Sequence, residues 1–189
     1  VDANAAWTAE ETIGYAKILK KLNVEFIEQP LKADDIDGMK QLKEHCILPV
    51  IADESCQREA DVDLCCELFN GINIKLMKCG GISGALEIAE IARRGQIDLF
   101  WGCNDESIVS ITAALHAAFA CSHTRYLDLD GSFDLAEDVV SGGFRLENGC
   151  LSLAGGSGLG LAICKSIIEA HDGEIGVRTD VVETTRDPA

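Results

Sequence analysis

The feature of this sequence that most constrains its fold is a repeated alternation of short apolar segments and amphipathic segments with helical spacing. The predicted strands are "VEFIEQP" (24–30), "LPVIADES" (48–55), "INIKLMK" (72–78), "IDLFWGC" (97–103) and "RYLDLD" (125–130). The first predicted helix starts at a capping box of Thr8 and Glu11 and carries an apolar stripe of Ile13, Ala16, Leu19 and Leu22. Four later helices are predicted near 35–45, 58–69, 84–95 and 107–120. Strands that are apolar on both faces and alternate with helices are typical of a parallel sheet with right-handed crossovers.

Polar residues recur at the predicted strand ends, with one more near the start of the chain. They follow one another at intervals of 22 to 31 residues, about one β/α unit each, and are Asp2, Glu28, Asp53, Lys75, Glu106 and Asp128. In a (β/α)₈ barrel the carboxyl ends of all strands open onto one face, so these side chains would converge. A doubly wound open sheet is the competing architecture, but no G-x-G-x-x-G follows a first strand. The sequence therefore predicts an α/β fold, a partial (β/α)₈ TIM-type barrel of about six β/α units.

Composition narrows the class of partner. The 189-residue chain has 16 basic and 32 acidic residues, and its formal net charge of −16 would repel the phosphates of a nucleic acid. It contains no run of about 18 apolar residues, which argues against a membrane span. The nine cysteines form no C-x-x-C pair and mostly lie in apolar segments. We therefore expect reduced thiols in a cytoplasmic protein, rather than a metal or disulfide framework.

Three of the strand-end residues are carboxylates, namely Asp2, Glu28 and Asp53. If they met on one face, each pair at ~4 Å would repel by about 4 kcal/mol. A divalent cation removes that repulsion, and a site made only of oxygen ligands suits Mg²⁺. The alternative is that each acid caps a helix or binds a neighbouring lysine. The regular spacing of the three favours the metal site.

Lys75 ends the apolar part of the third predicted strand, where an unpaired ammonium would be costly to bury. Near a metal ion, a lysine can remove a proton α to a carbonyl group if its pKa falls from about 10.4 to about 7–8, and burial beside a cation favours that fall. The alternative is a structural ion pair with the carboxylates. Lys78 lies three residues further on, which in a pleated strand places it on the opposite side. We predict Lys75 as the catalytic residue and Lys78 as a supporting residue behind it.

Six segments together resemble the C-terminal barrel of the enolase superfamily: "VDAN", "FIEQP", "IADES", "NIKLMKCGGI", "GCNDES" and "LDLDGSFDL". The muconate-lactonizing subgroup fits best, and within it the dipeptide epimerases of the L-Ala-D/L-Glu type. The resemblance covers roughly residues 1–150, with the motifs in the family's order. It implies a Mg²⁺-dependent isomerase that abstracts the α-proton of a dipeptide and stabilises the enolate. Asp2, Glu28 and Asp53 match the metal ligands, and Lys75 matches the base.

The resemblance also suggests how a substrate would be held. Asp128 and Asp130 match the D-x-D pair that receives the α-ammonium of the dipeptide, and Glu106 matches the acid of the seventh strand beside the substrate. Alternate strand residues face the same side, and paired carboxylates suit a cation, which agrees with that role. A solvated acidic strand end is the alternative. Asn104 stands where the family is expected to have a methionine.

The resemblance divides the chain into a barrel part, residues 1–153, and a short α/β tail, residues 154–189. It places the start of the chain at the family's third strand, so that the capping domain, the first two strands and the K-x-K motif would be missing. Lys75 alone would then exchange the α-proton on one face, and unpaired sheet edges would favour self-association. The tail segment "GGSGLGLAICKSIIEAHDGEIGV" (155–177) is similar to a glycine box of histidine-kinase ATP-binding domains, but no other box of those domains occurs. A fusion or a chimeric gene explains it more simply.

The sequence thus favours Mg²⁺-dependent epimerisation of dipeptides of the Ala-Glu type. Three alternatives stay open. One is another enzyme of the same subgroup, an N-acylamino acid racemase or a cycloisomerase, whose substrates lack the free α-ammonium that a D-x-D pair would bind. The second is a nucleotide-binding fragment of a sensor kinase, and the third is a fragment without activity.

Overall fold

The structure, a computed structural model, describes residues 1–140, 142–148 and 150–153. The helices are α1 (Ala9–Lys21), α2 (Ile36–His45), α3 (Val62–Leu68), α4 (Ile82–Arg94) and α5 (Ile108–Ala120), and a 3₁₀ turn (Glu59–Asp61) leads into α3. The strands are β1 (Ile27–Glu28), β2 (Val50–Ala52), β3 (Gly71–Ile74), β4 (Asp98–Trp101), β5 (Thr124–Leu127), β6 (Phe144–Glu147) and β7 (Cys150–Leu153). The predicted tail from residue 154 onward lies outside the described residues.

The first five strands form one parallel sheet in the order β1-β2-β3-β4-β5. Asp2 forms a parallel bridge to Glu28 at the edge of β1 that faces away from β2, so the start of the chain continues the same strand order. Neighbouring strands are joined by helices α2 to α5. This sequential order is that of a barrel, whereas a doubly wound sheet reverses its order at a switch point. The predicted α/β fold with a partial barrel of about six units is confirmed.

The sheet is strongly curved, and aromatic side chains on its inner face show it. The ring of Phe26, just before β1, lies 5.5 Å from that of Phe100 in β4 and 4.6 Å from that of Tyr126 in β5. The Tyr126 hydroxyl donates a hydrogen bond of 2.9 Å to a carboxylate oxygen of Glu25. Because β1 and β5 stand at opposite ends of the strand order, these contacts require the sheet to curl like part of a barrel wall.

The outer face of the sheet packs on the helices, and every residue of β2 and β3 is buried. The predicted capping box is present at the start of α1: the Glu11 amide donates to the Thr8 hydroxyl at 3.3 Å, and the Thr8 amide donates to the Glu11 carboxylate at 2.8 Å. Leu22, which we placed in the apolar stripe of this helix, is 68% exposed because the helix ends at Lys21.

The antiparallel hairpin of β6 and β7 was not predicted. Its turn contains Asn148 with a left-handed φ of 52°, and the sequence there is Asn148-Gly149. Asn-Gly between two apolar segments is a strong hairpin signal that the sequence analysis did not use. Within the described part of the chain, no helix is long and apolar enough to cross a membrane.

Candidate functional site

The predicted strand-end residues gather at the carboxyl edge of the parallel sheet. Glu28 is the last residue of β1, Asp53 follows β2 by one residue, Lys75 follows β3 and Asp128 follows β5. Asp2 pairs with Glu28 across the bridge at the edge of the sheet. Each of these positions follows from the same local rule: an apolar strand runs through the core and ends where its first charged side chain reaches the open face.

Glu28 is a buried carboxylate, with 6% of its surface exposed. One of its oxygens accepts a hydrogen bond of 2.6 Å from the side-chain amide of Asn73, in the middle of β3. Burial raises the pKa of Glu28 to about 7; the nearby charges of Asp2 and Asp53 add to the rise, while the hydrogen bond from Asn73 and the charge of Lys75 oppose it. Glu28 is therefore a buried acid whose ionised form needs more positive charge than these neighbours supply.

Asp53 binds both lysines of the following turn. One of its carboxylate oxygens is 2.6 Å from Nζ of Lys75, and the other forms a close ion pair with Nζ of Lys78. All three side chains are largely buried, with exposures of 7% for Asp53, 15% for Lys75 and 16% for Lys78. In this state the charge of Asp53 is compensated by ammonium groups.

The expected fall in the pKa of Lys75 does not occur in this structure. Burial lowers the pKa, but the hydrogen bond and charge of Asp53, with the charges of Glu28 and Asp2, raise it more, so that the net pKa lies above its ordinary value. The pKa near 7–8 was expected beside a metal ion and stays a prediction for the metal-bound site. Lys75 is an ammonium here because the negative charges of Asp53, Glu28 and Asp2 favour its charged form.

The prediction that Lys78 lies on the opposite side from Lys75 is wrong. It assumed that the strand continues, but β3 ends at Ile74 and the chain turns, with the amide of Lys78 bonded to the carbonyl of Lys75 at 3.0 Å. Nζ of Lys78 therefore reaches the Asp53 carboxylate, the Asp53 carbonyl (2.8 Å) and the Asn73 carbonyl (3.0 Å). The same turn leaves Met77 65% exposed.

Asp128 and Asp130 lie on the same side of the segment that follows β5. Both are exposed, and Leu129 between them is buried at 2%. Burial raises the pKa of Asp128, the adjacent charge of Asp130 raises it further, and Lys75 opposes the rise. The two carboxylates thus form a concentrated negative charge within reach of the Lys75 ammonium.

Glu106 has a more local environment than we expected of a substrate-binding acid. It is 6% exposed, and one oxygen accepts from the backbone amide of Asn104 at 3.0 Å. The other oxygen accepts a close hydrogen bond from the hydroxyl of Ser110, in the first turn of α5. These contacts hold the loop between β4 and α5 to the start of the helix.

Two buried polar residues of the site, Gln29 and Asn73, were missed by the sequence analysis. Gln29 is fully buried and bonds to the loop that carries Asp53, and Asn73 bonds to Glu28. A signal for Asn73 was available, because residues 73 and 75 share one face of a strand and the intervening residue is apolar. Gln29 carried no periodic signal, since it follows the last residue of β1.

The oxygen donors of Asp2, Glu28 and Asp53 are those that a hard divalent cation prefers. As the side chains stand, however, no group of three or more histidine, cysteine, aspartate or glutamate residues in the described part of the chain is arranged to hold a metal ion. Both carboxylate oxygens of Asp53 bind ammonium groups instead. A cation at this place would have to compete with Lys75 or Lys78 for Asp53.

Comparison with known proteins finds a matching family and similar enzymes. The family described as enolase C-terminal domain-like matches residues 1–167. An L-Lys-D/L-Arg epimerase of Desulforapulum autotrophicum is 51% identical over 164 residues, which cover 85% of this chain and 46% of the relative. The chain spans about half the length of the curated relatives it matches.

Two solved structures have the same fold. A dipeptide epimerase from Methylococcus capsulatus, complexed with Mg and the dipeptide L-Arg-D-Lys, superposes with a TM-score of 0.75 at 46% identity, over 82% of this chain and 44% of that one. A substrate-liganded complex of the L-Ala-D/L-Glu epimerase from Bacillus subtilis gives a TM-score of 0.76 at 31% identity, over 81% of this chain and 44% of that one.

Proposed function

Because the chain belongs to the enolase C-terminal domain-like family, we propose that it carries the metal- and base-bearing part of a Mg²⁺-dependent dipeptide epimerase. The observation that carries this proposal is the meeting of Glu28, Asp53 and Lys75 at the carboxyl ends of three adjacent parallel strands. The similar proteins support it, because they are named as dipeptide epimerases and four of their structures contain Mg.

Asp2, Glu28 and Asp53 are the proposed metal ligands. Their donor set suits Mg²⁺, and the raised pKa of the buried Glu28 shows a carboxylate short of positive charge. When bound, Mg²⁺ would offset two of the three carboxylate charges and stabilise the negative charge that develops on the substrate when its α-proton leaves. Asp53 must release at least one ammonium contact to serve as a ligand.

Lys75 is the proposed base. Once the carboxylate charges are compensated, the groups that raise its pKa no longer do so, and burial remains as the influence that lowers it. Nζ of Lys75 is then free to take the α-proton of the dipeptide and to return it. The ammonium of Lys78 donates to two oxygens of Asp53 and to the carbonyl of Asn73, and so keeps Asp53 in place. Lys78 thus acts as the supporting residue that the sequence suggested.

Asp128 and Asp130 are proposed to bind the α-ammonium of the dipeptide. They are exposed toward the open face, and Lys75 lies close enough to influence the pKa of Asp128. A carboxylate pair at that place would hold the substrate cation near the base. Glu106 stays a proposed substrate-binding acid, and any contact with the substrate would add to the hydrogen bonds that its oxygens accept from Asn104 and Ser110.

The side chains of the substrate are a further part of the proposal. The resemblance suggested Ala-Glu dipeptides, and the Bacillus subtilis relative carries that name, whereas the Desulforapulum autotrophicum relative is named for Lys and Arg. The relative named for Lys and Arg is 51% identical to this chain and the one named for Ala-Glu is 31% identical, which favours the cationic class. We therefore propose cationic dipeptides as the first substrate class and Ala-Glu as the second.

A comparison of two dipeptides tests the proposed function. L-Arg-L-Lys and L-Ala-L-Glu would each be incubated with the protein in D₂O with Mg²⁺, and NMR would record α-deuterium and the second diastereomer. We expect Mg²⁺-dependent conversion or exchange that is faster for L-Arg-L-Lys, and none with a chelator. If neither dipeptide gave α-deuterium or a second diastereomer in a folded sample that binds Mg²⁺, the proposed activity would be refuted.

The eight cysteines that the structure describes are free thiols, two of them fully buried in the core (Cys56 and Cys65). Free thiols persist in reducing compartments. This supports the cytoplasm as the proposed location.

A further inference from the structure

The side chain of Gln29 is fully buried, at 0% exposure, immediately after Glu28. Its amide oxygen accepts from the backbone amides of Asp53 (2.9 Å) and Ser55 (3.1 Å). Its amide nitrogen donates to the carbonyl of Leu31 (2.7 Å) and the hydroxyl of Ser55 (2.9 Å). All four hydrogen-bonding positions of the amide are thus used. The orientation is fixed, because a flipped amide would direct its NH₂ group at two N–H donors.

The backbone of Gln29 makes two further connections. Its carbonyl accepts a hydrogen bond of 2.7 Å from the amide of Ala5, in the segment that follows Asp2, and its amide donates to the carbonyl of Ile51 in β2 at 2.9 Å. Its φ of +31° lies in the left-handed region, which a non-glycine residue adopts only where its surroundings hold it. Such conformations concentrate at functional sites.

From these contacts we infer that Gln29 is a positioning residue that fixes the three carboxylates of the site relative to one another. It is covalently joined to Glu28, its side chain holds the amide of Asp53 itself, and its carbonyl holds the segment after Asp2. The inference rests on the proposed function, in which those carboxylates bind Mg²⁺. Gln29 does not contact the metal or the substrate in this role; it determines where the ligands stand before the cation arrives.

The replacement Gln29→Met tests this inference, because it keeps the length of the side chain and removes all four hydrogen bonds. We expect Mg²⁺ affinity, measured by titration calorimetry, to fall by about 10- to 100-fold, as for other groups that orient metal ligands. Raised Mg²⁺ should restore most of the exchange rate, since Lys75 is untouched. The backbone amides of Asp53 and Ser55 should exchange faster with solvent in NMR measurements made without metal.

The matched control is Thr12→Val in α1. Thr12 is also 0% exposed, and its hydroxyl donates to the carbonyl of Thr8 at 2.7 Å rather than to a residue of the site. This variant should lose stability but keep the Mg²⁺ affinity and the two amide exchange rates of the parent. If Gln29→Met does not fold, Ser55→Ala removes only one of the four hydrogen bonds, and a several-fold loss of Mg²⁺ affinity is expected.

The proposed function and the positioning role of Gln29 can fail separately. If Gln29→Met binds Mg²⁺ as tightly as the parent, the positioning role is wrong and the proposed function still stands. If only Ser55→Ala folds, the same result in that variant has the same meaning. A parent protein that does not bind Mg²⁺ would overturn the proposed function and, with it, the metal-positioning role of Gln29. Equal loss of affinity in Gln29→Met and Thr12→Val would show a general effect of stability and would also overturn the inference.

Discussion

Lys78 illustrates how individual residues build this site, because its ammonium has three acceptors and 16% exposure of its side chain. We expect Lys78→Met to lower the free energy of unfolding by about 1–3 kcal/mol, since it removes an ammonium donor from three acceptors, one of them charged. Lys40→Met is the matched control, because Lys40 pairs with Asp37 at 3.4 Å on the open surface. Urea denaturation would measure both, and a loss in Lys40→Met as large as in Lys78→Met would contradict the structure.

Glu28 makes the stability of the metal-free protein depend on pH. Its folded pKa of about 7 lies above the ordinary value of 4.5, so the folded state holds a proton that the unfolded state has lost. Its contribution to stability is therefore complete below about pH 4.5 and is lost as the pH rises through 7, a change of about 3 kcal/mol.

Glu28→Gln isolates this contribution, because it removes the titrating group and keeps the size of the side chain. Parent and variant would be denatured at several pH values without metal. The free energy of unfolding of the variant should rise relative to that of the parent between pH 4.5 and 7.5. A stability difference that does not change with pH would mean that Glu28 titrates normally.

At the scale of secondary structure, α4 is packed against the turn that carries both lysines. A side chain at Gly84, in the first turns of α4, would clash with the backbone carbonyl of Cys79 in that turn. At Gly14, in α1, an added Cβ would have no atom within 4 Å apart from the backbone of its own helix. Gly14→Ala should therefore stabilise the protein by roughly 0.5–1 kcal/mol, as in an open helix.

Gly84→Ala should instead destabilise it, by about 1–3 kcal/mol, because the helix or the turn must move. The displaced turn should also weaken Mg²⁺-dependent exchange through Lys75. Thermal denaturation of the two variants side by side checks this, and stabilisation by both substitutions would show that α4 and the turn are not in close contact.

The elements themselves were largely predictable from the sequence, because strands buried on both faces and helices with caps leave strong local patterns. The failures occurred where a strand ends. Lys78 was assigned by the pleat of a strand that stops at Ile74, and the left-handed turn at Asn148 was overlooked. Gln29 could not be found, because its role depends on residues 24 to 26 positions away that meet it only in the folded chain.

At the scale of the whole molecule, the order of the strands followed from their regular spacing, and with it the common edge on which the charged residues lie. The charge state of that edge did not follow. The pKa of Lys75 was expected to fall beside a metal ion, and in the absence of that ion Asp53, Glu28 and Asp2 raise it. A sequence shows which residues converge, but the sign of a pKa shift depends on distances among all of them.

The convergence predicts that Mg²⁺ stabilises the entire folded chain. A ligand that binds only the native state at 100 times its Kd adds about 2.7 kcal/mol, or several degrees in Tm. The gain should disappear in Asp53→Asn, which has lost the charge of a proposed ligand. Calorimetry with and without Mg²⁺ measures it, and an equal gain in Asp53→Asn would place the cation elsewhere.

The most direct test of the central claim, that Lys75 is the base of this site, is exchange of the dipeptide α-proton in D₂O. With Mg²⁺ and a cationic dipeptide, the parent should incorporate α-deuterium. Lys75→Ala should abolish incorporation while the protein stays folded and still binds Mg²⁺, and Lys78→Ala should reduce it less. Incorporation by Lys75→Ala at the rate of the parent would contradict the account.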